Sequence, residues 1–171
     1  MLSILKPKQA VASIFDINLQ HLKNCGYYNI IIDLDNTITA WKNHQISGKL
    51  RDWILKAKEK GFHICLLSNN KQDKVQIFAS KLDIIAAPIG GKPFSKAFFS
   101  ALNALNGNIG NTVVIGDQVF TDILGGNWIG LYTILVDPID KDEFIGTKFT
   151  RLMERLIAGR RLKCESHQQQ R

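Results

Sequence analysis

The stretch Tyr28–Thr37, with the sequence YNIIIDLDNT, decides the fold of this chain. Its apolar run ends at Ile32 and is typical of a β-strand that is covered on both faces. Asp33 and Asp35 follow directly, and in an extended chain residues two apart project to the same side. Such a carboxylate pair can bind a hard cation and still use one oxygen as a nucleophile, if backbone amides and a lysine hold the incoming anion.

Strand-like and helix-like segments alternate through the rest of the sequence. Helical periodicity follows Ser47 as far as Gly61, covers 72–81 and 95–105, and returns in a shorter segment between Thr121 and Trp128. This alternation predicts an α/β fold with a central parallel sheet of about five strands and helices on both faces. The predicted strands are 28–32, 62–67, 84–86, 112–115 and 131–136.

The chain length and the spacing of these elements bear on domain organisation. The length of 171 residues and the hydrophobic content of 45% predict a single domain, 1–171, with an ample core. Between Thr37 and Ser68 there is room for one helix and one strand, and 70–91 holds one more helix and a short strand. We therefore expect no inserted domain between these elements. Trp41 is expected either on the rim of a site at the strand ends or as an anchor of its loop.

Polar residues follow four of the predicted strands. Because the carboxyl ends of parallel strands meet at one edge of a sheet, we expect these residues to form one site. Each has a plainer alternative: Ser68 could cap the next helix, Lys92 could be an exposed loop lysine, and Asp122 could favour a helix N-terminus. The residues are Asp33 and Asp35, then Ser68, Asn69 and Asn70, then Gly90, Gly91 and Lys92, and finally Gly116 and Asp117 with Asp122 five residues on.

The order of these motifs resembles the haloacid dehalogenase superfamily of phosphatases: a DxDxT sequence, a serine after the second strand, a lone lysine and a GDxxxxD sequence. The resemblance implies a three-layer, Rossmann-like fold. Because no cap domain is expected, it also implies an open site that accepts the end of a large substrate. Other stretches are similar to the YqeG-type phosphatases of subclass IIIA, which are related to organellar phosphatidylglycerophosphate phosphatases. These are Ser13–Ile17, Asp33–Thr37 followed by Trp41, Ser68–Asn70, Gly116–Gln118 and Thr121–Asp122.

The resemblance implies catalytic and metal-binding roles for four aspartates. Asp33 would be the nucleophile that becomes an aspartyl phosphate, and Asp35 the general acid and base. Mg²⁺ would be held by Asp33, the backbone carbonyl of Asp35 and Asp117. Asp122 would lie behind these ligands and orient a metal-bound water molecule.

The same resemblance implies a cradle for the substrate phosphate. Lys92 would compensate the negative charge that a phosphate monoester brings among carboxylates, and the Ser68 hydroxyl would donate to its oxygens. The backbone amides of Leu34, Asn36 and Asn69 would complete the cradle.

The net charge of +7 is concentrated near one end of the chain. Residues 148–171 contain seven basic and two acidic side chains. We expect a basic amphipathic helix at about 147–160 and a disordered tail at 161–171. The helix either packs on the core with a solvated outer face or rests on an anionic membrane surface or an acidic partner.

These observations favour a Mg²⁺-dependent phosphomonoester hydrolase acting on phosphatidylglycerophosphate in phospholipid synthesis or on another phosphorylated lipid, sugar or nucleotide. The alternatives are a phosphoprotein or small-metabolite phosphatase and, in another class, a basic nucleic-acid or ribosome-associated binding module. Nucleic-acid binding is disfavoured because the charge lacks a stripe of interleaved aromatic residues. The N-terminal apolar run is too short for a signal-peptide core, which predicts a cytoplasmic protein, free or peripheral at the inner face of the membrane. The oligomeric state is left open.

Overall fold

The computed structural model describes residues 2–40 and 45–140. The strands within these ranges form one six-stranded parallel sheet. The strands are β1 Gln9–Val11, β2 Asn29–Ile32, β3 His63–Leu66, β4 Ile85–Ala86, β5 Thr112–Gly116 and β6 Tyr132–Val136. Their order in the sheet is β1-β6-β5-β2-β3-β4. Strands β3 and β4 lie on one side of β2, and β5, β6 and β1 lie on the other. The two halves meet between β2 and β5, which is where open sheets of this type form their ligand crevice.

The helices cover both faces of the sheet. The helices are α1 Leu19–Asn24, α2 Gly48–Glu59, α3 Gln72–Leu82, α4 Ser95–Ala104 and α5 Leu124–Trp128, the last preceded by a π-helical turn, Val119–Ile123. The Ser47 side chain accepts a hydrogen bond from the Leu50 amide and so caps α2, as helix N-termini require. Helix α3 is followed by the cap residue Asp83, whose left-handed conformation, with a φ of 52°, closes the helix.

Strand β2 divides the core into two apolar layers. Ile30 and Ile32 point to the face covered by α2 and α3, where they join Ile54 and Phe78. Ile31 points to the opposite face and packs with residues of α4. Full burial of an isoleucine contributes about 1.5 to 3 kcal/mol, so this short strand anchors both layers.

The five predicted strands are all present, but the predicted strand number was too low. Strand β1 was missed because it has only three residues, all of intermediate exposure. Its sequence carries no alternating pattern, and its pairing with β6 depends on residues far along the chain. No inserted domain interrupts the described residues, in agreement with the predicted open architecture.

Several expectations fall outside this part of the chain. The basic helix at 147–160, the tail at 161–171 and Trp41 lie outside the described residues. Within the ranges that the structure covers, every helix is too short or too polar to cross a lipid bilayer.

Candidate active site

Strands β2 and β5 bring the first and last acidic motifs together. Ile32 pairs in register with Ile115, so Asp33 and Asp117 leave neighbouring strand ends at the same edge of the sheet. Asp33, Asp117 and Asp122 are all buried and can each place a carboxylate oxygen within 4.8 Å of the others. Carboxylates in such an arrangement are suited to a hard divalent cation.

Lys92 reaches into this cluster from the loop after β4. Its Nζ donates to Asp33 Oδ1 and to Asp122 Oδ1, both at 2.6 Å. Burial alone would lower the pKa of Lys92, but the neighbouring Asp122 and Asp33 carboxylates outweigh it and raise the pKa. Lys92 is therefore a fixed positive charge.

Two carboxyl groups of the cluster, those of Asp33 and Asp117, have raised pKa values. Burial, reinforced by the charges of Asp122 and Asp117, raises the pKa of Asp33 to about 7 even though Lys92 opposes the shift. Burial and the Asp122 charge raise the pKa of Asp117 to about 6. Three ionised carboxylates against the one charge of Lys92 would leave two negative charges in a buried site. A divalent cation fits this donor set and its charge.

Asp35 is also buried, but it makes a separate set of contacts. Lys74 Nζ and Asn70 Nδ2 each donate to its carboxylate at 2.8 Å. The Ser68 hydroxyl is 3.5 Å from Asp35 Oδ2 and accepts from the Asn70 amide. No role was predicted for Lys74, because in the sequence it is an ordinary lysine near the start of α3.

The Asn69 side chain holds the loop that carries Lys92. Asn69 Oδ1 accepts from the Gly91 amide at 3.0 Å and the Lys92 amide at 2.7 Å, and Asn69 Nδ2 donates to the Lys92 carbonyl at 2.9 Å. The two loops also touch at Gly90, where an added Cβ would lie 2.6 Å from the Ser68 carbonyl oxygen. Only the backbone amide of Asn69 was predicted to have a role, and this side-chain role was missed.

Asp122 is fixed by its own loop as well as by Lys92. Its Oδ2 accepts from the Gln118 amide at 3.1 Å. Gly116 permits this position, because an added Cβ there would lie 2.2 Å from Asp122 Cγ. Asp122 was predicted to lie behind the metal ligands, and the structure places an oxygen of it in the same cluster.

One proposed contact of the phosphate cradle is wrong. The Asn36 amide donates to the Thr39 carbonyl at 2.7 Å, because Asn36 adopts a left-handed conformation with φ 61° that folds the loop back on itself. The amides of Leu34 and Asp35 have no acceptor within the described part of the chain. These two amides are therefore better placed to bind an anion.

Two family models match adjacent segments of this chain. The haloacid dehalogenase-like hydrolase model matches residues 30–91, and the HAD-hydrolase-like model matches residues 89–138. Together these segments contain every candidate site residue named above.

Two curated relatives also match. The "Probable phosphatase YqeG" of Bacillus subtilis is 37% identical over 161 residues, which are 94% of this chain and 93% of that protein. The phosphatidylglycerophosphate phosphatase 1, chloroplastic/mitochondrial, of Arabidopsis thaliana is 29% identical over 163 residues, which are 85% of this chain and 45% of that longer protein.

Solved structures share the architecture. An uncharacterized protein from Listeria monocytogenes serotype 4b has a TM-score of 0.53 at 19% identity, over 70% of this chain and 87% of that one. A Vibrio cholerae protein described as a "putative 3-deoxy-D-manno-octulosonate 8-phosphate phosphatase" has a TM-score of 0.53 at 14% identity, over 75% and 78% of the two chains. At such identities the similarity concerns the fold alone.

Proposed function

The chain belongs to the haloacid dehalogenase-like hydrolases and, among them, to the YqeG-type phosphatases, and from this we propose that it hydrolyses phosphate monoesters through a covalent phosphate on Asp33. One observation carries the proposal: four buried side chains lie together at the edge of the sheet where β2 and β5 end. They are Asp33, Asp117, Asp122 and Lys92.

The first step transfers the phosphoryl group to the protein. An Asp33 oxygen attacks phosphorus, and the bond from phosphorus to the ester oxygen breaks with its electron pair staying on that oxygen. Asp35 supplies the proton that this oxygen takes up. Lys92 and the amides of Leu34 and Asp35 hold the phosphoryl oxygens, whose charge must be balanced in a site already rich in carboxylates.

The second step returns Asp33 to its starting state. Asp35, now a carboxylate, takes a proton from a water molecule as the water oxygen attacks phosphorus. The bond from phosphorus to Asp33 breaks, and inorganic phosphate leaves. The contacts of Asp35 with Lys74, Asn70 and Ser68 support this role, because these three donors fix the position of its carboxylate.

We propose Mg²⁺ as the cofactor. Asp33 and Asp117 would hold it together with the Asp35 backbone carbonyl, and Asp122 would hold or orient it from the same cluster. The cation supplies neutralisation of the phosphoryl charge and alignment of the phosphorus with the nucleophile.

For the physiological substrate we propose phosphatidylglycerophosphate, the headgroup phosphate of which is a monoester. The similarity to the Arabidopsis enzyme supports this choice, as does a site that no inserted domain covers within the described residues. Contact with an anionic membrane surface belongs to the same proposal, because a lipid phosphate is presented at the face of the bilayer.

Two variants test the chemistry, with an aryl phosphate as a soluble substrate. Asp33→Asn should abolish turnover and Mg²⁺-dependent labelling by phosphate, whereas Asp35→Asn should retain labelling but release phosphate slowly. The control Asp52→Asn changes an exposed aspartate on α2 and should behave as the unmodified protein. Turnover that survives in Asp33→Asn would remove the nucleophile assignment, and equal rates on phosphatidylglycerophosphate vesicles and on soluble esters would argue against the lipid substrate.

A further inference from the structure

An apolar surface lies beside the loop that delivers Lys92 to the site. Its members are Ile89, Phe94, Lys96 and Phe99, which we term the rim patch. Phe94 is 72% exposed, Ile89 42% and Phe99 45%, although a buried position is normal for such large apolar side chains. Ile89, Lys96 and Phe99 line one groove, and Phe94 lies at the N-cap of the helix that carries Phe99. Exposed apolar side chains in such positions indicate an interaction surface.

The rim patch borders a shallow groove of about 610 Å³. The groove lies between the residues after the edge strand β4 and the outer side of α4, and its walls include Pro88, Ile89, Ser95, Lys96, Phe99 and Asn103. None of these carries a negative charge. Helix α4 turns Ala97, Phe98 and Ala101 towards the core, so the outward position of Phe99 is not required for packing of the helix.

The charged side chains in this part of the chain are all positive. Residues 84–116 contain no aspartate or glutamate, and their charged side chains are Lys92 and Lys96. An acid-free apolar surface with an exposed lysine is complementary to an anionic bilayer, whose lipid headgroups attract the lysine while its interior accepts the aromatic rings. Two copies of the chain pairing through this surface would instead bring lysine towards lysine, which is unfavourable.

We propose that the rim patch docks on an anionic lipid bilayer and inserts Phe94 and Phe99 into the interfacial region. The inference rests on the proposed function only for the reason why docking would be useful. Lipid binding itself does not require catalysis. Phe94 is two residues from Lys92, whose Nζ contacts Asp33 Oδ1. Insertion of Phe94 therefore brings the entrance of the catalytic site to the plane in which a lipid phosphate lies.

The test is vesicle co-sedimentation of the full chain with the double variant Phe94→Ser and Phe99→Ser. Phe94 is the N-cap of α4 and makes no side-chain cap hydrogen bond, so serine there preserves the helix start. With phosphatidylcholine and phosphatidylglycerol vesicles, we expect the loss of two buried rings to weaken partitioning about tenfold or more. Hydrolysis of a soluble aryl phosphate should be unchanged.

The matched control is Trp128→Ser. Trp128 is 66% exposed, but it ends α5 just before β6 begins and so lies at the opposite edge of the sheet from the site. We expect this variant to bind vesicles as the unmodified chain does. Lys96→Glu should weaken binding to vesicles that contain phosphatidylglycerol and leave the weaker binding to pure phosphatidylcholine unaltered.

The outcomes separate this inference from the proposed function. Unchanged vesicle binding by the double variant, or no vesicle binding by the unmodified chain, overturns the docking surface even if the protein hydrolyses phosphate esters. Loss of a dimer in the double variant, measured by light scattering, would assign the surface to self-association and likewise overturn it. Vesicle binding without any phosphatase activity would leave the surface standing and overturn the proposed function.

Discussion

The Thr37 hydroxyl donates to Asp117 Oδ1 at 2.7 Å and accepts from the Asp117 backbone amide at 3.1 Å. This reciprocal pair joins the loop after β2 to the loop after β5, the two segments that supply the carboxylates of the site. Both partners are buried, so no water competes for the contact. Thr37 thereby fixes the direction in which the remaining Asp117 oxygen points.

Thr37→Val removes this pair with almost no change of shape. We expect the apparent affinity for Mg²⁺ to fall about 10- to 100-fold, as is usual when the group that orients a metal ligand is lost. The buried Asp117 amide loses its acceptor, which should lower the free energy of unfolding by about 1 to 3 kcal/mol. Calorimetric titration with Mg²⁺ and urea denaturation measure the two effects. Thr37→Ser keeps the hydroxyl and should restore the metal affinity; equal affinities in all three proteins would show that Thr37 does not orient Asp117.

Asn69→Leu should displace the Lys92 side chain from its place in the site, although Lys92 itself is unchanged. The three hydrogen bonds of the Asn69 side chain to residues 91 and 92 set the path of the loop, and leucine of similar size can make none of them. We expect kcat/KM for an aryl phosphate to fall at least about tenfold, because even a small displacement of the Lys92 ammonium group weakens its interaction with the phosphoryl oxygens in the transition state. Asn24→Leu, an exposed change on α1, serves as the control. A normal kcat/KM in Asn69→Leu would mean that the loop holds its shape unaided.

The site could be predicted from sequence where it depends on strand ends. Asp33 and Asp117 follow apolar runs, and the rule that parallel strands gather their carboxyl ends at one edge is enough to bring them together. The same reasoning placed Lys92 and Asp122 near them. For these residues local sequence and topology carry the information.

Features that depend on contacts between loops were not predictable. Asn69 and Lys92 are 23 residues apart, and no periodicity links an amide side chain to the backbone of another loop. Lys74 reaches Asp35 across 39 residues in the same way. The Asn36 amide was misassigned because asparagine, although enriched among left-handed residues, adopts that conformation in only a minority of its occurrences, so its identity alone does not predict the turn.

The metal-free protein should lose stability as the pH rises from about 4 to about 8. Folding raises the pKa of Asp33 to about 7 and that of Asp117 to about 6, against an ordinary value of 3.8. A carboxyl with a raised pKa stabilises the fold while it is protonated in both states, below the unfolded value, and this contribution is lost as the pH passes through the folded value. For Asp117 the loss is about 3 kcal/mol. Urea denaturation in the presence of a chelator at several pH values measures it.

Mg²⁺ and one substitution provide the controls for this pH dependence. Mg²⁺ should oppose the loss at pH 8, because the cation binds the ionised carboxylates of the folded state. Asp117→Asn should flatten the pH dependence, since it removes one titrating group and a charge that raises the pKa of Asp33. A metal-free protein whose unfolding free energy is constant from pH 4 to pH 8 would contradict the electrostatic description of the cluster.

Gly116→Ala should damage the cation site without altering any of its carboxylates. The new Cβ would lie 2.2 Å from Asp122 Cγ, so the Asp122 side chain must leave its position beside Lys92 and the Gln118 amide. We expect the overpacking to lower the free energy of unfolding by about 1 to 3 kcal/mol and Mg²⁺ affinity to fall together with activity. Gly48→Ala is the matched control, because a Cβ there meets no atom within 4 Å and alanine favours the first turn of α2. If Gly116→Ala binds Mg²⁺ as tightly as Gly48→Ala does, the position of Asp122 is not needed for the cation.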